Sequence, residues 1–188
     1  MIENITFDKD LYLFELDDVL FPKRDYLVQV YYLFGSFYEF TEGQSNANDI
    51  AKFMTKIYDL HGEEHVLLAT KMMFNINNQY DDNFYRLLAN AQIPLKLEFT
   101  RQTKLLLDQL IDKKKKIAIL TKGNPIEQLN KIKFIDWGSL DYLKDSIKIY
   151  FADELNFRAI DPIEYIAKEF KINSKQISYI EYEKQHLQ

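Results

Sequence analysis

Two acidic residues stand two positions apart, directly after the first apolar run of the chain. Glu15 and Asp17 follow Leu11–Phe14, and Val19 and Leu20 continue the apolar pattern. A short apolar run is typical of a buried strand, so both carboxylates are expected at its carboxyl end. Open α/β sheets bind ligands at that end of their strands. Because Mg²⁺ prefers oxygen ligands, Glu15 could hold a cation.

A hydroxyl and a glycine follow a second apolar segment. Lys116–Thr121 ends in Thr121, and Lys122, Gly123 and Pro125 come next. Pro125 suits the first position of a helix. The Thr121 hydroxyl and the following backbone N–H groups could therefore bind an anion near a helix N-terminus. Lys122 either adds positive charge to that site or is exposed to solvent.

Strand and helix patterns alternate on both flanks of the chain. Helical patterns occur at residues 100–112 and 161–170. Strands that are separated by helices pair in parallel through right-handed crossovers. The flanks therefore predict an α/β fold around a parallel sheet. Its four strands are expected at residues 11–16, 116–121, 146–151 and 177–180.

Residues 22–93 have a different pattern, which is helical almost throughout. Apolar residues recur from Leu27 at steps of three and four, and Gly43 and Gly62 end the first two helices. Two more helices are expected after Gly62, and four antiparallel helices with short loops form a bundle. The predicted domains are an α/β core of residues 1–21 and 94–188 and a helical insert of residues 22–93.

The composition excludes several kinds of protein. The chain has 188 residues, no cysteine and a net charge of −5. Disulfides, thiolate catalysis and Cys-based zinc sites are therefore excluded, and no nucleic-acid partner is expected. No apolar run approaches the roughly 20 residues that cross a membrane, and residues 1–6 lack the pattern of a signal peptide. We expect no membrane partner and a cytoplasmic location.

One basic run, the four lysines at 113–116, comes between a helical segment and a strand candidate. Lysines at the carboxyl end of a helix complement the helix dipole. We interpret the run as a solvated helix end rather than as a binding site.

The acidic motif resembles the first motif of the haloacid dehalogenase (HAD) superfamily, Asp-x-Asp-x-(Thr/Val). Here the residues are Glu15-x-Asp17-x-Val19, and Thr121 matches the threonine at the strand end of the second motif. The resemblance implies a three-layer, Rossmann-like α/β core with an all-helical cap inserted after the first strand. The order of the predicted elements is similar to that arrangement.

The resemblance also implies a role for each residue. Position 15 is that of the covalent nucleophile, and Asp17 is that of the general acid and base. Thr121, with Lys122 and Gly123, matches the residues that hold phosphoryl oxygens. The family binds Mg²⁺, and the corresponding ligands here are Glu15 and Asp17, with Glu181 as the acid of the fourth motif.

The chain departs from the family pattern at several of these positions. The residue at the nucleophile position is Glu15 rather than Asp. Its extra methylene moves the carboxylate by roughly 1.5 Å, and a displacement of a reacting group by about 1 Å can lower the rate about a hundredfold. The third motif has Ala159 in place of its lysine, and Arg158 is the adjacent cation. Glu181 matches the acid of the fourth motif only after a shift of one residue.

Three hypotheses of function follow. The chain is a weakened Mg²⁺-dependent phosphohydrolase that acts on a small phosphorylated molecule, or a catalytically inactive relative that binds a partner or a small anion. A receiver-like regulatory domain is a third reading, and the helical insert argues against it. Loss of both the nucleophile and the lysine removes covalent chemistry and charge stabilisation together, which favours the inactive relative.

The first helix of the insert carries more aromatic residues than one buried face can hold. Tyr32 and Phe37 are candidates for its exposed side. An exposed aromatic strip is typical of an interface, and it suggests a homodimer through the aromatic surface of the cap. Core packing with scattered surface aromatics is the simpler interpretation.

Overall fold

The computed structural model describes residues 5–182. The strands of that range are β1 (Leu11–Phe14), β2 (Leu97–Glu98), β3 (Lys116–Thr121), β4 (Ile135–Asp136), β5 (Lys148–Phe151) and β6 (Ile177–Ile180). The α-helices are α1 (Lys23–Glu42), α2 (Ala47–His61), α3 (Val66–Phe74), α4 (Asp81–Asn90), α5 (Arg101–Asp112), α6 (Pro125–Phe134), α7 (Asp141–Lys144), α8 (Ala152–Phe157) and α9 (Pro162–Phe170).

The chain forms two compact units. The first contains the described parts of Met1–Pro22, Leu97–Gln128 and Ile135–Gln188. The second contains Lys23–Lys96 and also Leu129–Phe134, the second half of α6. No sequence pattern indicated that this part of α6 groups with the helical segment. None of the helices within residues 5–182 combines the length and the apolar character needed to cross a membrane.

The first unit is built on a parallel sheet of β5, β3, β1 and β6, in that order. All four residues of β1 are buried, as expected of a central parallel strand that is covered on both faces. One part of the core consists of buried apolar side chains from the strands, α8 and α9: Leu11, Leu13, Ala118, Leu120, Tyr150, Ala152 and Ile166. The predicted α/β fold with a parallel sheet is confirmed.

The turn after β1 is fixed by hydrogen bonds. Asp18 has a φ of 62°, and its N–H donates to the Phe21 carbonyl at 2.9 Å. The Thr103 hydroxyl of α5 donates to the Val19 carbonyl at 2.5 Å, and the Thr100 N–H donates to the Leu20 carbonyl at 3.2 Å. Residues 15–21 are thus held against the start of α5.

Side-chain caps define where two helices of this unit begin. Thr100 accepts from the Thr103 N–H before α5, and Asp161 accepts from the Glu164 N–H at 2.8 Å before α9. Each helix therefore starts one residue later than its sequence pattern predicts. The short parallel strands β2 and β4 were not predicted, since two residues are too few to show a period.

The second unit packs α1 closely against α2. A Cβ added to Gly35 would lie 2.6 Å from the Ala47 carbonyl oxygen, so only glycine allows this approach within α1. Aromatic rings fill the space beside α1, with centroids 5.3 Å apart for Phe34 and Phe84 and 5.2 Å apart for Tyr38 and Tyr80. Such edge-to-face pairs stabilise the packing beyond the free energy that is gained by burying their apolar area.

Asn130 of α6 is bound inside the second unit. Its side-chain amide donates to the Tyr26 hydroxyl at 3.1 Å and to the Ala91 carbonyl at 2.9 Å. The Tyr26 hydroxyl in turn donates to the Leu88 carbonyl at 2.6 Å. The ammonium of Lys131, a fully buried residue, lies 5.2 Å from the Tyr26 ring centroid.

Of the two aromatic residues of α1 predicted for its exposed side, Tyr32 is exposed and Phe37 is part-buried. Tyr32 is 48% exposed and Phe40 is 89% exposed. Phe37 instead packs edge-on against Tyr80, with centroids 6.1 Å apart. The homodimer through this surface stays a prediction.

Candidate functional site

Glu15 lies directly after β1 with a buried carboxylate. Its backbone N–H donates to the Ile180 carbonyl at 2.9 Å, which continues the sheet register beyond β1. The residue is 8% exposed, and Oε1 accepts from the Leu16 N–H at 2.8 Å. Burial raises the pKa of the Glu15 carboxyl, although hydrogen bonds from Thr121, Leu16 and Tyr179 oppose that effect.

The Thr121 hydroxyl is directed at Glu15. Thr121 ends β3 and is fully buried, and its Oγ1 donates to Glu15 Oε1 at 2.5 Å. Its distance to the Lys122 carbonyl is longer, at 3.4 Å. A hydroxyl has one hydrogen to donate, so the donor assigned to phosphoryl oxygens is bonded to the residue at the nucleophile position.

Tyr179 is a third member of this group that the sequence analysis missed. Its hydroxyl donates to Glu15 Oε2 at 3.0 Å. Tyr179 lies opposite Leu13 in the pairing of β6 with β1, and Leu13 and Glu15 share a face because side chains alternate along a strand. The strand was predicted, but its register against β1 was not. We refer to Glu15, Thr121 and Tyr179 as the Glu15 cluster.

The protonation state of Tyr179 agrees with its role as a hydrogen-bond donor to Glu15. The Tyr179 pKa is raised by burial and then by the charge of Glu15, so the phenol stays a hydrogen-bond donor. With three donors on its two oxygens, the carboxylate has used most of its roughly four lone-pair positions. Glu15 is therefore satisfied by protein groups alone.

Lys122 is paired with the acid predicted for the metal site. Its Nζ lies 2.7 Å from Glu181 Oε2 and 5.8 Å from the Tyr179 ring centroid. The hydrogen bond to Glu181 raises the Lys122 pKa. The pair is largely exposed, so its contribution to stability is small. The consequence of this ion pair is that the Lys122 ammonium and the Glu181 carboxylate each already have a partner of opposite charge.

The Gly123 backbone N–H binds a carboxylate of the chain itself. It donates to Asp153 Oδ2 at 2.7 Å, and Gly123 has a φ of 96°. Asp153 stands in the first turn of α8, just after β5. Asp153 was not predicted as a partner of this N–H, and the binding of an external anion here stays a prediction. An acid just after a neighbouring strand was the available signal.

Asp17 is connected to the same region through Gln128, a second residue that sequence reasoning missed. The Gln128 amide donates to Asp17 Oδ2 at 3.3 Å and to the Lys122 carbonyl at 2.6 Å. Gln128 is 3% exposed. Asp17 is half-buried. Asp17 and the loop after Thr121 thus accept hydrogen bonds from the same Gln128 Nε2 atom.

Arg158 does not join these residues. It is exposed at the carboxyl end of α8, and its side chain forms no hydrogen bond or ion pair with the described residues. The adjacent Ala159 has a φ of 56°. The cation that the third motif requires is therefore not bonded to the Glu15 cluster.

A magnesium ion does not fit the three predicted ligands as they are arranged. Glu15 accepts hydrogen bonds on both oxygens, and Glu181 holds the Lys122 ammonium. Throughout residues 5–182, no three His, Asp or Glu side chains come together in a group that could hold a metal ion. The donor groups around Glu15 are hydroxyls and an N–H, which stabilise a carboxylate without a cation.

The sequence matches no family model and no curated protein. The fold is similar to that of a HAD family hydrolase from Deinococcus radiodurans R1 with bound phosphate and sodium. The TM-score of this comparison is 0.51, with 16% sequence identity, and the match covers 93% of this chain and 72% of the hydrolase chain. An L-2-haloacid dehalogenase gives a TM-score of 0.50, with 14% identity over 92% of this chain and 77% of the other.

At such identities the similarity concerns the fold alone. It agrees with the parallel sheet order and with the first strand leading into a helical segment. The chain has the α/β fold of haloacid dehalogenase-like hydrolases.

Proposed function

We propose that this chain is a catalytically inactive HAD-fold protein that acts by binding a partner. The observation that carries the proposal is the hydrogen bond from Thr121 Oγ1 to Glu15 Oε1. It joins the residue at the nucleophile position to the residue at the phosphate-binding position. In a phosphohydrolase site, the nucleophile must be free to attack the phosphoryl group and the hydroxyl must be free to bind its oxygens.

Phosphoryl transfer gives the protein two tasks, which are to place a nucleophile in line and to neutralise the negative charge of the phosphoryl oxygens. A buried Glu15 that accepts three hydrogen bonds has little freedom to attack. Activating it would require breaking bonds to Thr121 and Tyr179, each of which leaves a buried polar group unsatisfied at about 1–3 kcal/mol.

The groups for charge neutralisation are also engaged. Lys122 is paired with Glu181, and the Gly123 N–H is bonded to Asp153. An incoming phosphate must displace two carboxylates and approach a third, at Glu15. This arrangement repels the anion that a phosphohydrolase must bind.

The alternative is a weakened, Mg²⁺-dependent phosphohydrolase for a small phosphorylated molecule. Asp17 supports it, because an acid is kept at the general acid and base position. The two functions make opposite predictions for one substitution. Glu15→Asp restores the family nucleophile, but it shortens the side chain that Thr121 and Tyr179 bind.

The experiment measures phosphate release from p-nitrophenyl phosphate and a panel of sugar and nucleotide phosphates, with Mg²⁺. We expect no turnover above buffer for the wild type or for Glu15→Asp, and a lower unfolding free energy for Glu15→Asp. Asp17→Asn is the control for contaminating phosphatase, since activity that survives it does not come from this site. Turnover that rises in Glu15→Asp and disappears in Glu15→Asp/Asp17→Asn establishes the enzyme instead.

A further inference from the structure

A groove with a basic rim lies at the opposite end of the sheet from the Glu15 cluster. Lys114, Lys115 and Lys116 line it between α5 and β3, and Lys148 lines it at the start of β5. Its volume is about 360 Å³, within the range of ligand sites. Because Thr121 ends the six-residue β3, the groove lies roughly 17 Å away along the strand. We call it the basic groove.

The wall of the basic groove is apolar below the lysines. Ile117, Leu143 and Ile147 supply aliphatic surface, and Phe170 supplies an aromatic ring. Tyr142 stands at the edge with 58% of its surface exposed. Such a wall suits one or two apolar side chains, which gain free energy as they leave water.

The charge of the basic groove is concentrated and mostly unmatched. Lys148 pairs with Glu169 at 2.5 Å, while Lys114, Lys115 and Lys116 form no ion pair with the described residues. The chain as a whole has a net charge of −5. A local cluster of cations on an acidic protein attracts an anionic partner with several charges.

Phe170 holds two of these cations in place. The ammonium groups of Lys116 and Lys148 lie 5.8 Å and 5.1 Å from its ring centroid, within the range of a cation–π interaction. The lysines are thereby kept beside the apolar wall, which gives the rim a defined position relative to the wall.

We propose that the basic groove binds an acidic peptide segment of a partner protein, with an apolar side chain between Asp or Glu residues. The apolar residue enters the wall of Ile117, Leu143 and Ile147, and the flanking carboxylates meet the lysines. The solvated helix end expected for residues 113–116 is the alternative interpretation, and it predicts no binding. The proposed role does not depend on whether Glu15 is catalytic. Nucleic acid suits the groove less, since the wall is mostly aliphatic and offers bases few flat partners.

Lys114 gives a test that separates binding from folding. It has a φ of 54°, and the Lys115 N–H donates to the Leu110 carbonyl at 2.9 Å, as in a helix end that favours glycine. Lys114→Gly therefore removes a charge and relieves the backbone. Lys171 ends α9 with a φ of 56° and does not line the basic groove. Lys171→Gly is the matched control.

The probe is a fluorescein-labelled peptide in which Leu-Phe is flanked on each side by three acidic residues, and the readout is fluorescence anisotropy with the full-length chain. We expect binding by the wild type and by Lys171→Gly. Lys114→Gly/Lys115→Gln should weaken binding by about tenfold, as expected for the loss of two charged contacts. Tyr142→Ser should weaken it by about threefold, through the apolar wall.

Two comparison ligands complete the experiment. A peptide with Ser-Ser in place of Leu-Phe should bind about tenfold more weakly, because it leaves the apolar wall empty. An oligothymidine of equal charge should bind more weakly than the acidic peptide. No binding of the acidic peptide, equal weakening by Lys171→Gly, or tighter binding of oligothymidine overturns the proposal.

Discussion

The backbone N–H of Gly123 donates a hydrogen bond of 2.7 Å to the Asp153 carboxylate. The N–H follows β3 and the acid follows β5, two neighbouring parallel strands. Open α/β sheets bind ligands at this edge of the sheet. Asp153 thus acts as an internal anion beside Thr121, where the resemblance predicts that a phosphate would bind.

Removal of Asp153 should open that place. We expect Asp153→Ala to bind inorganic phosphate with a dissociation constant on the order of millimolar, which corresponds to about 4 kcal/mol. The measurement is the shift of the Gly123 amide signal in a ¹⁵N–¹H NMR titration. Glu154→Ala removes a neighbouring exposed charge and should leave the signal unmoved by phosphate. If phosphate shifts the Gly123 amide signal of the wild type by an equal amount, Asp153 does not block the binding of phosphate to this N–H.

Loss of the Thr121 hydroxyl should destabilise the fold. Thr121→Val keeps the shape of the side chain but removes a donor from buried Glu15, so we expect a loss of about 1–3 kcal/mol in the free energy of unfolding. Urea denaturation measures it. Thr121→Ser retains the hydroxyl and should lose less. A double-mutant cycle with Tyr179→Phe should show coupling, because both hydroxyls bind the same carboxylate; additive effects argue against a shared cluster.

The pKa of Glu15 predicts how stability depends on pH. Burial raises its folded-state pKa above the usual 4.5, so the folded chain binds the proton more tightly than the unfolded chain. The stability that this proton contributes is present below the unfolded pKa and is lost as pH rises through the folded pKa. Compared with Glu15→Gln, the wild type should therefore be relatively more stable near pH about 4 than near pH about 8.

Urea unfolding of both chains at the two pH values measures this difference, and the Glu15→Gln chain provides the reference because its residue 15 does not titrate. A difference that grows in favour of the wild type as pH rises contradicts the expected sign. It would indicate that the hydrogen bonds from Thr121 and Tyr179 outweigh burial.

The packing of α1 on α2 predicts an unusual cost for a small change. Gly35→Ala places a Cβ 2.6 Å from the Ala47 carbonyl oxygen, and the backbone must move to relieve it. Alanine favours a helix by about 1 kcal/mol over glycine, yet we expect a net loss of about 1–3 kcal/mol from the forced separation. Thermal denaturation tests it, with Ser36→Ala as the neighbouring control. Equal midpoints for Gly35→Ala and the wild type contradict the close approach.

The sequence predicted the main strands because each is an apolar run between helical patterns, and β3 and β6 keep the predicted bounds. It also indicated that Glu15 and Thr121 each stand at the carboxyl end of a strand. The pairing of β2 with β4 was not predictable, since it joins two-residue segments that are distant in the chain.

The partners within the site were harder to predict than its position. A threonine at a strand end has the same pattern whether its hydroxyl binds a ligand or a neighbouring acid. Tyr179, Asp153 and Gln128 reach the site through strand register and helix orientation, which no local pattern records. The departure from the family motif at Glu15 was the one visible sign that the hydrogen bonding had changed.

The hydrogen bonds of Asn130 affect the order of events during synthesis of the chain. Tyr26 and Ala91 belong to the segment that is made first, but both bind an amide that is made about forty residues after Ala91, or several seconds at typical rates of translation. A fragment that stops at Lys96 lacks this amide and the Lys131 side chain above the Tyr26 ring. The helical unit therefore completes these contacts only after residues 97–131 have been synthesised, so an isolated fragment of residues 23–96 should be less stable than a chain that includes α6.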